Sequence, residues 1–154
     1  MSEVALNIDF KKKVIDAFKA HKEEVLNDFA GEEKTRLEQV ANEDMDNRHL
    51  DSKNEETLHE MDFLTHSMEI IEKEIYMLNS IDTSTENQDV SFGSLVQTDK
   101  VTFLVGSAQE KMEIDGIPVV GISMAAPLMR AMEGKKEGEK VTLGSLTHEI
   151  LSVC

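Results

Sequence analysis

The sequence has little of what cross-links a protein or sends it to a membrane. Its 154 residues include a single cysteine, Cys154, so no disulfide can form within the chain. No stretch approaches the roughly 20 apolar residues that a membrane span requires. The first residues, MSEVALNIDFKKK, lack the long apolar core and the cleavage-site pattern of a secretory signal. We therefore expect a cytoplasmic protein that does not enter membranes.

Sequence motifs for tightly held metals and for phosphate loops are also missing. There is no HExxH pattern and no paired cysteines, and His59 and His66 are seven residues apart. On a helix that spacing separates them by two turns, too far for one ion without outside ligands. Gly116 and Gly121 lie in a strand-rich stretch, where turns or bulges are expected. The sequence predicts no intrinsic cofactor and no metal held by this chain alone.

Negative charge is concentrated in the first part of the chain. Residues 1–89 hold 23 acidic and 10 basic side chains and residues 90–154 hold 8 and 6, so the balances are −13 and −2 of the total −15. Such a surface repels bare nucleic acid. Contact with DNA or RNA is therefore expected only through a protein complex, and the composition shift near position 85 predicts two domains.

Apolar spacing predicts a long helix that ends near Asn79. The spacings are 3 or 4 residues throughout, which is the a/d rhythm of a coiled-coil seam. The members of this seam are Leu58, Met61, Leu64, Met68, Ile71, Ile75 and Leu78. A helix cannot bury such a stripe alone, so antiparallel pairing with a preceding helix is expected.

The preceding helix is predicted to begin with Asp9 as its N-cap and to continue through Gly31 to about Asn42. Gly31 weakens a helix without necessarily ending it. Residues 42–54 are rich in cap and turn formers and form the predicted hairpin tip. The second helix is then expected from about Ser52 or Asn54.

After a polar linker at 80–89, the chain has short apolar runs separated by turn signals, which predict a small antiparallel sheet. The predicted strands are Val90–Val96, Val101–Val105, Ile117–Met124, Val141–Leu143 and Leu146–Val153. Pro127 and Gly134 are placed to start and stop one short helix. The fold class is α+β, with a coiled-coil domain at 1–79 and a sheet domain at 90–154.

The segment Ala126–Lys135 resembles the C-terminal signature of the bacterial Gre-type (GreA/GreB) transcript cleavage factors. That signature has a Ser-Pro pair, an aliphatic residue, a basic-Ala pair and a closing Gly-Lys, and Ala126 replaces the serine here. Val90–Val96 and Lys140–Val153 resemble the first and the last strands of the family's C-terminal domain. The resemblance implies an N-terminal antiparallel coiled coil followed by an FKBP-like domain.

The resemblance also implies a function in transcription elongation. Its C-terminal domain would dock on RNA polymerase, and its coiled coil would enter the secondary channel and stimulate cleavage of backtracked RNA. The chain would then be a monomeric accessory factor, not an enzyme, and Mg²⁺ would be shared with the polymerase active site. The residues expected to dock on polymerase are Pro127, Arg130, Gly134 and Lys135.

At the hairpin tip, the family places a glutamate three residues after an aspartate. Matching that aspartate to Asp51 puts Asn54 at the glutamate position, and an amide carries no negative charge. Matching Ser52-Lys53-Asn54 to the family's Ser-Glu-Asn puts Lys53 there instead. Asp51, and Glu55 if the turn shifts by one residue, are the candidates for assisting metal binding. The other candidate tip residues are Glu43, Asp44, Asp46 and Asn54.

Two further functions fit the same sequence. Because Asn54 departs from the family's pattern, the chain could occupy the secondary channel as a regulator or inhibitor that does not stimulate cleavage. It could also be a coiled-coil adaptor unrelated to transcription, in which case the acidic tip from 43 to 56 is a solvated turn.

Overall fold

A computed structural model describes residues 6–46 and 51–154, leaving out the side chains at 40–46, 51–55 and 57. Two long helices come first, α1 (Ile8–Asp46) and α2 (Asp51–Asn79). They are followed by β1 (Leu95–Thr98), β2 (Thr102–Val105), β3 (Gln109–Ile114), β4 (Ile117–Ile122), α3 (Pro127–Met132), β5 (Lys140–Leu143) and β6 (Leu146–Val153). The predicted class is confirmed: a helical hairpin precedes a mostly antiparallel sheet with one short helix.

Helix α1 begins at Ile8, two residues earlier than an N-cap at Asp9 predicts, and its N-cap is Asn7. The Asn7 side-chain oxygen accepts a hydrogen bond of 2.8 Å from the backbone N–H of Phe10. This bond satisfies one of the free N–H groups of the first turn. Asp9 lies inside that turn, where its charge complements the helix dipole. The prediction of Asp9 as the cap was therefore wrong by two residues.

Both helices extend further toward each other than predicted. Helix α1 continues through Gly31 and past Asn42 to Asp46, and α2 begins at Asp51. The predicted turn at 42–54 was too long, because cap-forming residues such as Asp and Asn reduce helix propensity by only tenths of a kcal/mol to about 0.7 kcal/mol each.

The chain divides into two compact units. One comprises the described residues up to Lys19 together with Tyr76–Cys154, and the other comprises Ala20–Ile75. The predicted domain bounds, with a linker at 80–89, remain a prediction. Within the first unit, Ile81 of that predicted linker is buried with the core.

The sheet of the first unit has the strand order β3-β4-β2-β1-β6-β5. All neighbouring pairs are antiparallel except β2 and β4, which are parallel, with Phe103 opposite Val120. The sequence predicted an entirely antiparallel sheet and did not predict β3. The first predicted strand, Val90–Val96, begins only at Leu95, because the chain turns at Phe92 and Gly93, where the N–H of Ser94 donates to the carbonyl of Ser91.

Apolar side chains cover both faces of this sheet, as the alternation of side chains along a strand requires. One face packs against the first turns of α1, and its buried members include Phe10, Val14, Phe18, Leu95, Leu104 and Val119. The other packs against α3, and its buried members include Val96, Phe103, Val105, Met129, Met132 and Ile150. The sheet and these helices therefore form one core region in three layers.

The seam of α2 is confirmed for most of its length. Leu64 and Leu78 are buried, and the seam residues from Met61 to Ile75 are otherwise half-buried. Leu58 is an exception, with 52% of its surface exposed. In the register of the hairpin the α1 residue at its level is Gln39, which is polar and exposed. No helix in the described part of the chain is long and apolar enough to cross a membrane.

Candidate functional site

The predicted site lies where the two helices of the hairpin end. Helix α1 ends at Asp46 and α2 begins at Asp51, so the backbone of both acidic helix ends is described. The side chains of the predicted tip residues lie outside the described residues. These are Glu43, Asp44, Asp46, Asp51, Asn54 and Glu55. Their roles remain predictions.

Contacts across the hairpin of the second unit fix the register of its two helices. Lys22 Nζ lies 2.7 Å from Glu74 Oε2, and Thr65 Oγ1 donates a hydrogen bond of 3.3 Å to Glu33 Oε1. Closer to the helix ends, Arg36 pairs with Glu60. In each of the three pairs the two residue numbers total 96 or 98. In an antiparallel pair, residue numbers rise along one helix as they fall along the other, so residues at the same level have a constant total. The near-constant total therefore shows that the register does not shift between these pairs.

The same register relates the two acidic helix ends. The numbers of Asp46 and Asp51 total 97, within the range of the three observed pairs. An antiparallel pair that keeps its register therefore ends with these two positions at the same level. At that level, carboxylate-bearing positions from both helices meet, which is the arrangement that a hard cation or a basic protein surface would recognise.

Most of the chain's net negative charge lies in the unit that contains these helix ends. Residues 20–75 hold 17 acidic and 6 basic side chains, a balance of −11 out of the chain's −15. Among the described residues there is no cluster of three or more His, Cys, Asp or Glu side chains that could hold a metal ion. A cation site built from described side chains alone is therefore absent.

The predicted polymerase-docking residues surround helix α3. Pro127 is the first residue of that helix, where its missing N–H costs nothing. Pro127 and Arg130 are exposed. Gly134 follows the helix with a φ of 78°, the left-handed conformation that favours glycine. The sequence signature therefore forms the predicted short helix, while its role in docking remains a prediction.

Gly134 and Lys135 also have a structural role that the sequence did not reveal. The N–H of Gly134 donates to the carbonyl of Val90 at 2.8 Å, and the N–H of Val90 donates to the carbonyl of Lys135 at the same distance. These bonds join the end of the α3 segment to the start of the strand region. Their backbone is therefore fixed whatever their side chains contact.

A buried lysine is a further feature that sequence reasoning missed. Lys11 is fully buried, and its Nζ donates a hydrogen bond of 3.1 Å to the carbonyl oxygen of Cys154. Burial lowers the pKa of Lys11, and the charges of Cys154, Glu86 and Asp82 partly offset this effect. Lys11 lies in a KKK run that reads as an exposed basic segment, so only the tertiary contact identifies it.

No protein-family model matches the sequence, and no curated protein matches it. Among solved structures, the GreA factor homolog 1 (Gfh1) protein of Thermus thermophilus is 15% identical, with 88% of this chain and 94% of that chain covered and a TM-score of 0.33. Another structure of the transcription factor Gfh1 is 14% identical over 88% and 92%, with a TM-score of 0.35. Thermus aquaticus Gfh1 is 16% identical over 90% and 94%, with a TM-score of 0.33. At such low identities and TM-scores, these similarities support no conclusion about the function of this chain.

Proposed function

We propose that this chain is a Gre-type transcription elongation factor that binds RNA polymerase and stimulates cleavage of backtracked RNA. The observation that carries the proposal is the hairpin register, which puts the acidic helix ends at Asp46 and Asp51 at one level. The Gre-like signature at Ala126–Lys135 supports it, because it forms the short helix α3 that Pro127 and Gly134 predict.

In the proposed complex, this chain contributes negative oxygen ligands and the polymerase performs the reaction. Carboxylates of Asp51 and Glu55 would face the polymerase active site, since both positions lie in the first turns of α2. Carboxylate oxygens are hard ligands that suit Mg²⁺, so this donor set fits a shared magnesium ion. When bound, Mg²⁺ would stabilise charge on the attacking and leaving oxygens of the phosphodiester. The factor itself is not an enzyme in this proposal.

The sheet domain would anchor the factor on the polymerase. Exposed Pro127 and Arg130 would contact the polymerase surface, while Gly134 and Lys135 hold the backbone of this region to Val90. A cytoplasmic monomer suffices for this task. Nucleic acid would be reached only through the polymerase, because the hairpin's balance of −11 repels phosphates.

The test is transcript cleavage in a stalled, backtracked polymerase complex. The wild-type chain should accelerate the release of short RNA, and Asp51→Ala should reduce that acceleration about tenfold or more, as expected for loss of one charged ligand. Asp62→Ala, which removes an exposed carboxylate away from the helix ends, is the matched control and should leave cleavage unchanged. Equal cleavage by the Asp51→Ala and wild-type chains would overturn the proposed role of the tip.

A second candidate function is channel occupancy without stimulated cleavage. It is favoured by Asn54, since an amide stands where the Asp51 alignment expects a carboxylate. In this case the chain binds core polymerase and slows RNA synthesis, but no short RNA is released. The same stalled complex distinguishes the two functions, because cleavage and extension are both measured in it.

An adaptor role outside transcription is the third candidate, and exposed apolar residues on α2 such as Phe63 and Ile70 favour it. Binding to purified core RNA polymerase decides between this role and the first two. If the full chain and polymerase do not co-elute in size-exclusion chromatography at micromolar concentration, the adaptor role stands and both polymerase-bound functions fail.

A further inference from the structure

Helix α2 carries a second line of residues, separate from the seam that packs on α1. His59, Phe63, His66 and Ile70 are spaced by 4, 3 and 4 residues, so they share one helix face, which we call the lateral stripe. All four are exposed, Phe63 by 68% and Ile70 by 46%. The hairpin already buries the seam, so its pairing does not explain this stripe.

Beside the lateral stripe lies a groove with a volume of about 420 Å³ between the two helices of the hairpin. It is lined by Phe29, Glu32 and Arg36 of α1 and by His59, Glu60, Phe63 and Leu64 of α2. His59 and Phe63 therefore belong to both features and join them into one surface. An apolar floor next to an exposed aromatic side chain is typical of a site that accepts an apolar side chain.

Acidic side chains border this surface on both sides. Glu56 and Glu60 lie on one flank of the lateral stripe, and Asp62 and Glu69 lie on the other, as their helical positions require. Glu56, Asp62 and Glu69 are exposed. Glu60 is held by Arg36, which also lies 3.7 Å from Glu32 Oε1. The apolar centre thus has a rim of predominantly negative charge.

We propose that the lateral stripe and the groove form a docking surface for a protein segment whose apolar side chains are flanked by lysine or arginine. The negative charge of the rim favours a basic segment over the other possible occupants. A second copy of the chain would bring another hairpin with a balance of −11, and nucleic acid or an anionic membrane would bring phosphates. A basic segment instead gains attraction to the rim while its apolar side chains cover Phe63 and Ile70. The proposal does not depend on polymerase binding or on the tip.

The test uses the full-length chain and a fluorescent synthetic peptide with leucines on one helical face and lysines and arginines beside them. A peptide of the same composition in scrambled order is its control. Binding is measured by fluorescence anisotropy at 0.15 M and 0.5 M NaCl. We expect the patterned peptide to bind more tightly than the scrambled one, and its affinity to fall at the higher salt concentration, because salt screens charges separated by about 8 Å or more.

Two substitutions distinguish binding at this surface from general attraction of a basic peptide to an acidic protein. Phe63→Ser should weaken binding of the patterned peptide about tenfold or more, as expected for losing one buried aromatic contact. Tyr76→Ser removes an aromatic side chain that is 70% exposed but lies outside the lateral stripe, and it should leave the affinity unchanged. Circular dichroism melting curves of both variants should match the wild type, because both side chains are exposed.

Three results would overturn the proposal. One is equal affinity for the patterned and scrambled peptides, which would indicate attraction by charge alone. Another is an equal loss of affinity in Phe63→Ser and Tyr76→Ser. The third is a concentration-dependent dimer of the free chain that Phe63→Ser abolishes in light scattering, since the occupant would then be a second copy.

Discussion

Lys22 on α1 and Glu74 on α2 form an ion pair across the hairpin, with 2.7 Å between Nζ and Oε2. Their side chains are only 8% and 26% exposed, unlike most of the charged side chains that the structure describes. An ion pair so shielded from water has already lost hydration, so removing the charge of either partner is more costly than at an exposed pair. The pair therefore fixes the register of the hairpin as well as linking its helices.

Glu74→Gln should lower the free energy of unfolding by about 1–3 kcal/mol, because it replaces a charge-assisted contact of the shielded Lys22 ammonium with a contact to a neutral amide. Urea denaturation measures the change. Asp16→Asn is the matched control: it disrupts a more exposed ion pair with Lys19 at 3.7 Å and should cost less than about 1 kcal/mol. Equal losses in the two variants would show that the shielding of Lys22 is unimportant.

Lys11 predicts a pH dependence of stability with a definite sign. Burial lowers the pKa of Lys11 in the folded chain below the ordinary lysine value of about 10.5. Between the folded and the unfolded pKa, the unfolded chain binds more protons, so the free energy of unfolding rises with pH. The stability gained by having Lys11 neutral is complete above the pKa of the unfolded chain, and it is lost as the pH falls through the pKa of the folded chain.

The measurement compares wild type with Lys11→Met by urea denaturation between pH 8 and pH 10.5. The stability of the wild type relative to the variant should increase across this window. Lys12→Met, which removes an exposed positive charge from the same turn, corrects for the change in net charge. A difference between Lys11→Met and wild type that stays constant with pH would contradict the inferred burial of the ammonium group.

Two glycines should respond in opposite directions to the same substitution. At Gly121 in β4, an added Cβ would lie 2.3 Å from the carbonyl oxygen of Ser107, a backbone atom that cannot rotate away. Gly121→Ala should therefore lower the free energy of unfolding by roughly 3 kcal/mol or more. At Gly31 nothing lies within 4 Å and the backbone is helical, so Gly31→Ala should raise it by about 0.5–1 kcal/mol.

Thermal melting followed by circular dichroism checks both glycine variants in one experiment. Gly116→Ala is an informative third variant, because Gly116 has open space but a φ of 82°. It isolates the backbone strain, about 1–2 kcal/mol, from the steric clash. If Gly121→Ala were no more destabilising than Gly116→Ala, the close approach to Ser107 would not limit this strand.

Periodicity predicted those parts of the fold in which local pattern and burial agree. The seam from Met61 to Leu78 was predictable because each of its apolar residues is buried or half-buried. Pro127 and Gly134 predicted α3, because their backbone preferences mark helix ends in any context. Strand β3 was missed because four of the six residues in its sequence, QEKMEI, are charged or polar. It lies at an edge of the sheet, where only one neighbouring strand is needed.

Features that depend on distant contacts could not be predicted in this way. The parallel pairing of β2 with β4 depends on strand order, which no local pattern encodes. The burial of Lys11 depends on the carbonyl of Cys154, which is 143 residues away. The candidate tip was predicted from the resemblance and from the acidic composition. The structure adds the hairpin register, which places the two helix ends at the same level.

The alignment of the tip makes a prediction of its own. If Asp51 matches the family's aspartate, position 54 is where a second carboxylate belongs, and positions three apart share one face of α2. Asn54→Glu should then increase stimulated transcript cleavage about tenfold or more over the wild-type chain. Ser52→Glu adds the same charge to a neighbouring position and should have little effect. If Lys53→Glu increases cleavage and Asn54→Glu does not, the alignment through Ser52-Lys53-Asn54 is correct and Asp51 is not the matching residue.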